Sequence, residues 1–566
     1  MADGLLGIAA SGLLAAQRAL ATTGNNISNA NTDGYNRQRV ETSERDSTYT
    51  AGGYLGNGVN IDTVARLYDN FLNTQVRTSQ SASGGATAYN QLTSQINSFI
   101  GDRSASLSAP LQSFFNAAQD VANDPSAIAA RQVLLTQGDS VAQRFNVLDT
   151  QFNTLRAQVQ QTLSSDVDQI NTWAATIAQL NTQIVSQSAS GTGQPPNDLL
   201  DQRNLLLEKL SGKVDTSVMT EADGAIDVFI GNGQSLVMGA AYNRLQTQPS
   251  AYDARADDIA LSSGGDQGAI VITQALTGGE MGGLLKFSHD VLDPAQNSLG
   301  RIAAGFALAV NAQHRQGSDL KGNAGQDFFT DPTTPTDAWF AKQTNGGDAR
   351  LSVAFDNTPA TATTPANTPA QLTASDYRLD YDSGGNAVLT RLSDNTKFTD
   401  NPAGSGAFQV DGLKIGIASG TAKAGDSFLI QPFRTPAGTI QAALDDPNQV
   451  AAAGSPSTGP GDNVNARALV NLQQTKGMLE GKASFQGAYN QLIGEVGVKA
   501  NAANLDNTAQ KNLLDQVTQS RESVSGVNLD EEAANLVKFQ QAYQASAQLI
   551  PALNNTFDAL MAAVRS

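Results

Sequence analysis

The C-terminal segment 528–564 constrains the fold most, because it has the spacing of a helix that needs a partner. Apolar side chains recur there at heptad steps, as Leu536, Tyr543, Ile550, Phe557 and Val564, with Phe539, Leu553 and Leu560 beside them. Few charges follow Ala533, which is unlike a solvated surface helix. Asn528 is placed to cap the helix and acidic residues fill its first turn. The pattern predicts either one helix of an ordinary bundle or a helix that is buried by distant partners.

A second heptad pattern occupies the other end of the chain, at Leu6, Leu13, Leu20 and Ile27. The run of Asn, Asp and Gly that follows predicts a helix end and a turn, because these residues tolerate positive φ. A secretory signal peptide is not expected, since Asp3 stands where basic residues are required and Arg18 interrupts the apolar face. The two ends are predicted to pair with each other while still presenting apolar residues outward.

Motifs at both ends carry a family resemblance. The run Asn25-Asn26-Ile27-Ser28-Asn29-Ala30-Asn31-Thr32-Asp33-Gly34-Tyr35 resembles the N-terminal signature of the rod, hook and hook-associated axial proteins of the bacterial flagellum. The continuation Asn36-Arg37-Gln38, the segment 525–532, the run Phe539-Gln540-Gln541-Ala542-Tyr543 and the segment 461–466 resemble the hook-associated members of that family. The terminal motifs are specific, whereas the central third matches only in general character.

The resemblance implies a structural subunit that is secreted, assembled in many copies and located outside the cell at the junction between hook and filament. Its implied partners are copies of itself, the hook protein, the next hook-associated protein and a cytoplasmic export chaperone that holds the C-terminal region. It also implies export through the flagellar type III apparatus without a cleaved signal peptide. Together the heptads and the motif predict an assembly surface made of Leu6, Leu13, Leu20, Ile27, Asn29, Asn31, Gly34, Tyr35, Leu536, Phe539, Tyr543, Ile550, Phe557, Leu560 and Val564.

Composition excludes several other classes of protein. The formal net charge of the 566 residues is -18, which argues against nucleic-acid binding, because phosphate recognition needs a basic face. The chain has no cysteine, which excludes disulfides, thiol catalysis and thiolate metal sites. No uninterrupted apolar run of about 18 residues is present, so no membrane insertion is expected.

The fold class predicted for the middle of the chain is mixed. Heptad spacing over 129–185 predicts one or two long helices of an antiparallel bundle, with a break near Ser164, Ser165 and Asp166 as the alternative. A hairpin is expected around Asn57-Gly58, followed by a helix from near Thr63. Alternating patterns near Ile226 and around Asp411-Gly412 predict two β-rich insertions.

These elements predict an elongated multidomain protein with paired, coiled-coil-like terminal helices, a discontinuous helical bundle and two inserted β-rich domains. The predicted divisions are 1–62 with 525–566 for the terminal assembly domain, 63–213 with 283–344 and 435–524 for the bundle, and 214–282 and 345–434 for the insertions.

Motifs for catalysis, cofactors or metals are weak. The two histidines, His289 and His314, have no companions that would form a metal set, and neither a phosphate loop nor a nucleophile elbow occurs. Residues 380–384 begin like a calcium loop, but Arg391 stands where its bidentate glutamate belongs, so a turn is expected. No cofactor and no enzymatic activity are predicted. The alternatives are the hook protein or another axial subunit, a secreted adhesin-like binding module and, least favoured, an enzyme.

Overall fold

The structure, a computed structural model, describes residues 2–50, 53–102, 106–189, 194–253, 255–262, 268–355, 369–399, 407–455 and 457–565. The side chains of residues 2–4, 50, 369, 560, 564 and 565 are outside the described part. The helices are α1 (Ala2–Ser28), α2 (Asn70–Gly101), α3 (Ser108–Asn123), α4 (Ile128–Ala189), α5 (Asn197–Lys213), α6 (Gly279–Phe287), α7 (Asp293–His314), α8 (Pro436–Thr439), α9 (Val464–Asn471), α10 (Phe485–Ser525) and α11 (Leu529–Arg565).

Strands occur in three parts of the chain. Those near the N-terminus are β1 (Gln38–Glu44), β2 (Thr48–Thr50), β3 (Gly53–Leu55) and β4 (Val59–Arg66). The first insertion contains β5 (Thr216–Thr220), β6 (Ile226–Ile230), β7 (Gln234–Met238), β8 (Ala241–Tyr242), β9 (Arg244–Pro249), β10 (Asp257–Ser262) and β11 (Ile270–Val271). The second contains β12 (Trp339–Ala341), β13 (Arg350–Phe355), β14 (Tyr377–Tyr381), β15 (Ala387–Arg391), β16 (Lys397–Phe398), β17 (Ala407–Val410), β18 (Leu413–Ser419) and β19 (Ser427–Ile430).

The sheets are small and antiparallel. In the first insertion the strand orders are β5-β6-β7-β8 and β11-β10-β9. In the second they are β12-β19-β14-β15-β16 and β13-β18-β17. The predicted hairpin at Asp411-Gly412 is confirmed: β17 pairs with β18, and the two turn residues have φ of 52° and 74°. The mixed, elongated architecture that the sequence predicts is therefore present, while the proposed domain boundaries stay a prediction.

The long heptad pattern forms one uninterrupted helix. Helix α4 has 62 residues and is about 93 Å long at 1.5 Å per residue. No break occurs near Ser164, because Asp166 is turned inward, where its Oδ1 accepts a hydrogen bond from Lys213 Nζ at 2.7 Å. Burial raises the pKa of Asp166 to about 6, against the opposing effect of Lys213. The alternative with a helix start at this position is wrong.

The bundle core is centred on Phe306 of α7. Its ring centroid lies 5.2 Å from that of Phe329 and 5.5 Å from those of Phe114 and Phe485. A short π-helical stretch, Ser288–Leu292, joins α6 to α7. Pro294 lies in the first turn of α7, which continues directly from this stretch, and the carbonyl oxygen of Asp290, four residues earlier, accepts a hydrogen bond from Lys499 Nζ instead of from a helical N–H.

Partly buried charged side chains connect the second insertion to the bundle. Arg434 donates to Asp293 of α7 at 2.8 Å and to Asp376 at 3.2 Å, and Arg156 of α4 donates to Asp293 at 2.7 Å. Burial raises the pKa of the Asp293 carboxyl, but Arg434 and Arg156 outweigh it and lower that pKa to about 2. Arg434 therefore joins Asp376, just before β14, to Asp293 of the bundle helix α7.

Two local predictions near the N-terminus are wrong. Residues around Thr63 form strand β4 instead of a helix, because Val59–Arg66 pairs with Gln38–Glu44 across the chain. Asn57-Gly58 is not the turn of a hairpin but links β3 to β4, and the Asn57 side chain donates to Asp46 O and Thr48 Oγ1, both at 2.6 Å. Helix α2 starts later, where Asp69 accepts a bond from Leu72 N.

The expected turn in place of a calcium loop is present. Asp382 Oδ1 accepts backbone hydrogen bonds from Gly384 and Asn386, each at 2.8 Å, so that oxygen is used within the turn. Among the described residues no group of side chains has the composition of a metal site.

The paired chain ends as a candidate assembly site

Helices α1 and α11 pair in antiparallel orientation although they lie at opposite ends of the sequence. Asn26 Nδ2 lies 3.2 Å from Glu532 Oε2. Nearer the start of α1, a Cβ atom on Gly12 would lie 3.2 Å from Ser546 Oγ. The residue numbers therefore fall along α1, from Asn26 to Gly12, as they rise along α11, from Glu532 to Ser546.

The seam between the two helices pairs small and polar residues of α1 with polar and larger apolar residues of α11. On α1 the covered positions follow alternating steps of four and three, at Ala9, Gly12, Ala16, Ala19, Thr23 and Asn26. On α11 the least exposed residues have similar spacing, at Glu532, Asn535, Phe539, Ser546, Ile550 and Leu553. Small side chains let two helix backbones approach closely, but they bury little apolar area.

Asn26 is the centre of a polar cluster at one end of this seam. Its Nδ2 donates to Gln38 O at 2.9 Å and to Glu532, while its Oδ1 accepts from Gln38 N at 3.0 Å and from the Tyr35 hydroxyl at 2.8 Å. Burial and three nearby carboxylates, those of Asp201, Asp198 and Glu532, raise the pKa of Tyr35. The amide thus uses both donors and both acceptor positions on groups of the chain itself.

Arg37 connects this cluster to the C-terminal helix. Its Nε donates to Glu532 Oε1 at 2.7 Å, one of its terminal nitrogens donates to Glu531 Oε2 at 2.6 Å, and its backbone N–H donates to Ser525 O at 2.9 Å. Burial lowers the pKa of Arg37, but the two carboxylates outweigh it and the net shift is upward. Glu532 is only 2% exposed, so this ion pair is withdrawn from water on the glutamate side.

The same turn also attaches to the bundle. Gly34 has φ of +77°, and an added Cβ would lie 2.9 Å from Leu205 of α5, so glycine meets both the conformational and the steric requirement. Asn36 donates to Asp201 through its backbone at 3.1 Å and its side chain at 2.7 Å, and Arg66 donates to the same carboxylate at 2.9 Å. The turn 34–37 therefore joins both terminal helices to α5.

By length and composition Leu5–Ser28 is apolar enough to cross a membrane, with a mean hydropathy of 1.3. A single such helix near the N-terminus is weak evidence, since core helices and signal sequences have the same properties. In the structure this helix packs along α11 and against the β1–β4 ribbon, where Ser11 Oγ accepts a bond from Val59 N at 3.2 Å.

Comparison with known proteins finds flagellar family models along most of the chain. Residues 93–329 match the helical domain of flagellar hook-associated protein FlgK, and residues 352–432 match the D2-like domain of flagellar hook-associated protein 1. The termini match flagellar basal body rod families: 6–36 the rod protein and 518–563 the C-terminal FlgEFG family.

Full-length relatives give the same result. Flagellar hook-associated protein 1 of Salmonella typhimurium is 36% identical, covering 98% of this chain and 99% of the relative, and that of Escherichia coli is 35% identical over the same shares. The chain belongs to the flagellar hook-associated protein 1 family. The solved hook junction protein FlgK from Burkholderia pseudomallei has a TM-score of 0.72 at 27% identity, covering 80% of this chain and 100% of that one.

As a member of the hook-associated protein 1 family, the chain is a structural subunit of the bacterial flagellum that forms part of the hook–filament junction. Matches over nearly the whole length favour this family over the hook protein and over an adhesin-like module. The rod-type matches at 6–36 and 518–563 contain most of α1, residues 34–36 of the turn and most of α11, so the terminal helices carry what this family shares with rod proteins.

The structure places the predicted assembly residues in two different environments. Leu6, Ile27, Leu536, Tyr543 and Phe557 are exposed, at 36–49%, while Leu13, Leu20, Phe539 and Ile550 are partly buried beside or within the seam. Leu5, Leu14, Val537 and Leu549 are exposed apolar residues on the same helices that the heptad pattern does not include. The side chains of Leu560 and Val564 lie outside the described residues.

The motif residues have mostly internal roles. Gly34 and Tyr35 are held within the chain, and Asn29 Nδ2 donates to Asn25 O at 3.0 Å, whereas Asn31 is exposed. Asn26, Arg37 and Glu532 were not predicted as site residues, although they form the contacts between the ends. One available signal was the heptad step that joins Gly12, Ala19 and Asn26, a row of small residues that ends in an amide.

Proposed function

We propose that this junction subunit assembles through its paired terminal helices, which contact copies of itself, the hook protein on one side and the next hook-associated protein on the other. The observation that carries the proposal is the exposed apolar surface of α1 and α11, which the chain itself leaves uncovered. Large apolar side chains each contribute about 1.5–3 kcal/mol when fully buried, so several of them give a strong driving force for association.

The dimensions of the pair suit contact with more than one neighbour. Helix α11 has 37 residues and is therefore about 55 Å long. It continues through Pro551, which removes the bond to Ala547 and normally costs about 3 kcal/mol in a helix interior. Contacts with adjacent subunits would offset that cost, and the helix would then be more regular in the assembly than in the free subunit.

Export and escort before assembly are part of the same proposal. The subunit passes through the flagellar type III apparatus without a cleaved signal peptide, and a cytoplasmic chaperone covers the C-terminal region until export. The nearly continuous exposure of α11 supports this, because an uncovered apolar helix is prone to association before it reaches its place. We infer a structural role without enzymatic activity, in keeping with the structural family to which the chain belongs.

The test of the assembly surface is Phe557→Asp in the full-length protein. A charge placed where a neighbour should bury an aromatic ring costs several kcal/mol, so incorporation into flagella should fail. The measurement is the amount of subunit in purified hook–filament preparations, together with motility. The thermal transition of the purified subunit should stay unchanged, because Phe557 is 49% exposed in the free chain.

A matched control is available on the bundle. Val133 of α4 is apolar and 47% exposed, so Val133→Asp makes the same kind of change at similar exposure outside the proposed surface. That variant should assemble normally. Normal incorporation of Phe557→Asp would contradict the proposal, as would equal failure of both variants.

A further inference from the structure

Above its polar end, the α1 side of the seam contains little that would define the register of the two helices. Ala9, Gly12, Ala16 and Ala19 present an almost uniform row of small side chains to α11. A heptad slip in one direction puts Gly12 opposite Phe539, and in the other it puts Ala16 near Ile550, so the larger residues of α11 meet small residues of α1 in either case. Packing in this seam therefore permits more than one alignment.

The polar cluster differs from the rest of the seam because its members have specific partners. Glu532 has both carboxylate oxygens bonded, Oε1 to Arg37 Nε at 2.7 Å and Oε2 to Asn26 Nδ2 at 3.2 Å. The two partners are supplied by α1 and by the turn that follows it, and both are themselves held by further bonds. The carboxylate consequently has one place along α1 where it is fully satisfied.

We propose that Glu532 is a positioning residue that fixes the register of α11 on α1. In the observed register Glu532 lies opposite Asn26, and Ser546 lies opposite Gly12. A slip of seven residues in one direction places the carboxylate opposite Ala19, where a buried charge lacks a partner. The opposite slip places Phe539 against Asn26 and Arg37, and leaves Glu532 beyond the end of α1 at Ser28. Both slips leave buried polar groups unpaired, so the observed register is selected.

The register determines how the exposed residues of the two helices line up. Leu6, Leu13 and Leu20 on α1 and Leu536 and Tyr543 on α11 flank the seam, so a slip would displace one set relative to the other by about 10 Å. This consequence for assembly rests on the proposed function. The register itself does not, and it can be measured separately.

Disulfide trapping in the full-length chain measures the register directly. The natural sequence has no cysteine, so an introduced pair has no competing thiol. Ser546→Cys is combined with Gly12→Cys to report the observed register, and with Leu5→Cys or Ala19→Cys to report the two slipped registers. Each pair is oxidised in the purified subunit and in assembled flagella, and the yield of intramolecular disulfide is quantified.

With Glu532 present, the Gly12→Cys pair should form the disulfide and the other two pairs should form little. Glu532→Gln keeps the shape and removes the charge, so yields for the slipped pairs should rise by about tenfold or more relative to the observed pair. Arg37→Gln should act in the same direction. A neighbour outside the cluster supplies the control: Asp530→Asn should keep the natural pattern, since its exposed side chain is not a partner of Asn26, Arg37 or Glu532.

Three results would overturn the proposal. One is that Glu532→Gln retains only the Gly12→Cys disulfide, and another is that the natural chain forms all three equally. The third is that Glu532→Gln loses all three disulfides, which would make the residue necessary for pairing instead of register. Phe557→Asp separates this proposal from the assembly surface: it should block incorporation yet leave the disulfide pattern of the purified subunit unchanged.

Discussion

The central bundle and the terminal helix pair share the same heptad spacing but use it differently. In α4 the heptad residues Leu134, Val141 and Leu148 are at most 2% exposed, because other helices and the aromatic cluster around Phe306 cover them. In α11 the corresponding residues Leu536 and Tyr543 are each 37% exposed, because α1 alone lies against them. Heptad spacing specifies a face that is to be buried, and the number of available neighbours determines whether one chain can bury it.

The largest expected difference between the regions is their local stability. Amides of α4 should exchange with solvent hydrogen only on global unfolding, at roughly 5–15 kcal/mol, whereas local opening can lie near zero where few apolar contacts exist. In the free subunit α1 and α11 should therefore exchange faster than α4 while remaining paired, and their protection should rise after assembly. Hydrogen exchange with mass spectrometry measures both states. Protection of the ends equal to that of α4 in the free subunit would remove the distinction.

A pair of alanine substitutions sharpens the comparison. Phe306→Ala removes the central ring of the bundle core and should lower the free energy of unfolding by about 3–5 kcal/mol. Phe557→Ala removes a ring of the same size from an exposed position and should change the free energy of unfolding by less than about 0.5 kcal/mol. Chemical denaturation of the purified subunit checks both values. A loss above about 2 kcal/mol for Phe557→Ala would show that the free chain already buries the end of α11.

A smaller effect, confined to the bundle, is the pH dependence that His314 gives to the free energy of unfolding. Its Nδ1–H donates to Gln326 O at 2.5 Å and its Nε2 accepts from Ala451 N at 2.8 Å, so the buried ring is neutral. Burial lowers its pKa to about 4. A folded-state pKa below the unfolded value near 6.5 stabilises the fold above about pH 6.5, and this stabilisation of about 3 kcal/mol is lost as the pH falls to about 4.

The measurement is the free energy of unfolding between pH 7 and pH 4. His314→Gln should weaken its dependence on pH in that interval. His289 is the only other histidine and its side chain is 86% exposed, so His289→Gln should leave the natural dependence unchanged. Equal curves for the two variants would show that buried His314 does not contribute to acid sensitivity.

Local sequence signals predicted the elements that are determined by neighbouring residues. Asn528 caps α11 as expected, with its Oδ1 accepting from Asp530 N at 3.0 Å and Glu531 N at 3.3 Å. The turn at Asp411-Gly412 and the long helix α4 were likewise predicted from residues that are close in sequence. Around Thr63 the apolar spacing resembled a helix, and only the pairing of β4 with β1 made it a strand.

The candidate site was predicted in outline and not in detail. The heptad residues lie on the two helices that pair, but the contacts between the ends are made by Asn26, Arg37 and Glu532. Glu532 and Asn26 are 506 positions apart in the sequence. In the sequence alone, Glu532 looks like any acidic residue that is favoured in the first turn of a helix. A polar residue that selects a register cannot be distinguished from a capping residue until its partner is known.

The sequence by itself determined the two amphipathic helices, the cap of α11 and the turn that follows α1, because these depend on residues within one or two helical turns. The tertiary structure decided which face of each helix is turned inward. Alanine and glycine of α1 let the two helices approach closely, so small residues form the α1 side of the seam and the leucines of α1 stay at its edge. Burial depends on what packs against a side chain, and a heptad pattern specifies only that packing is required.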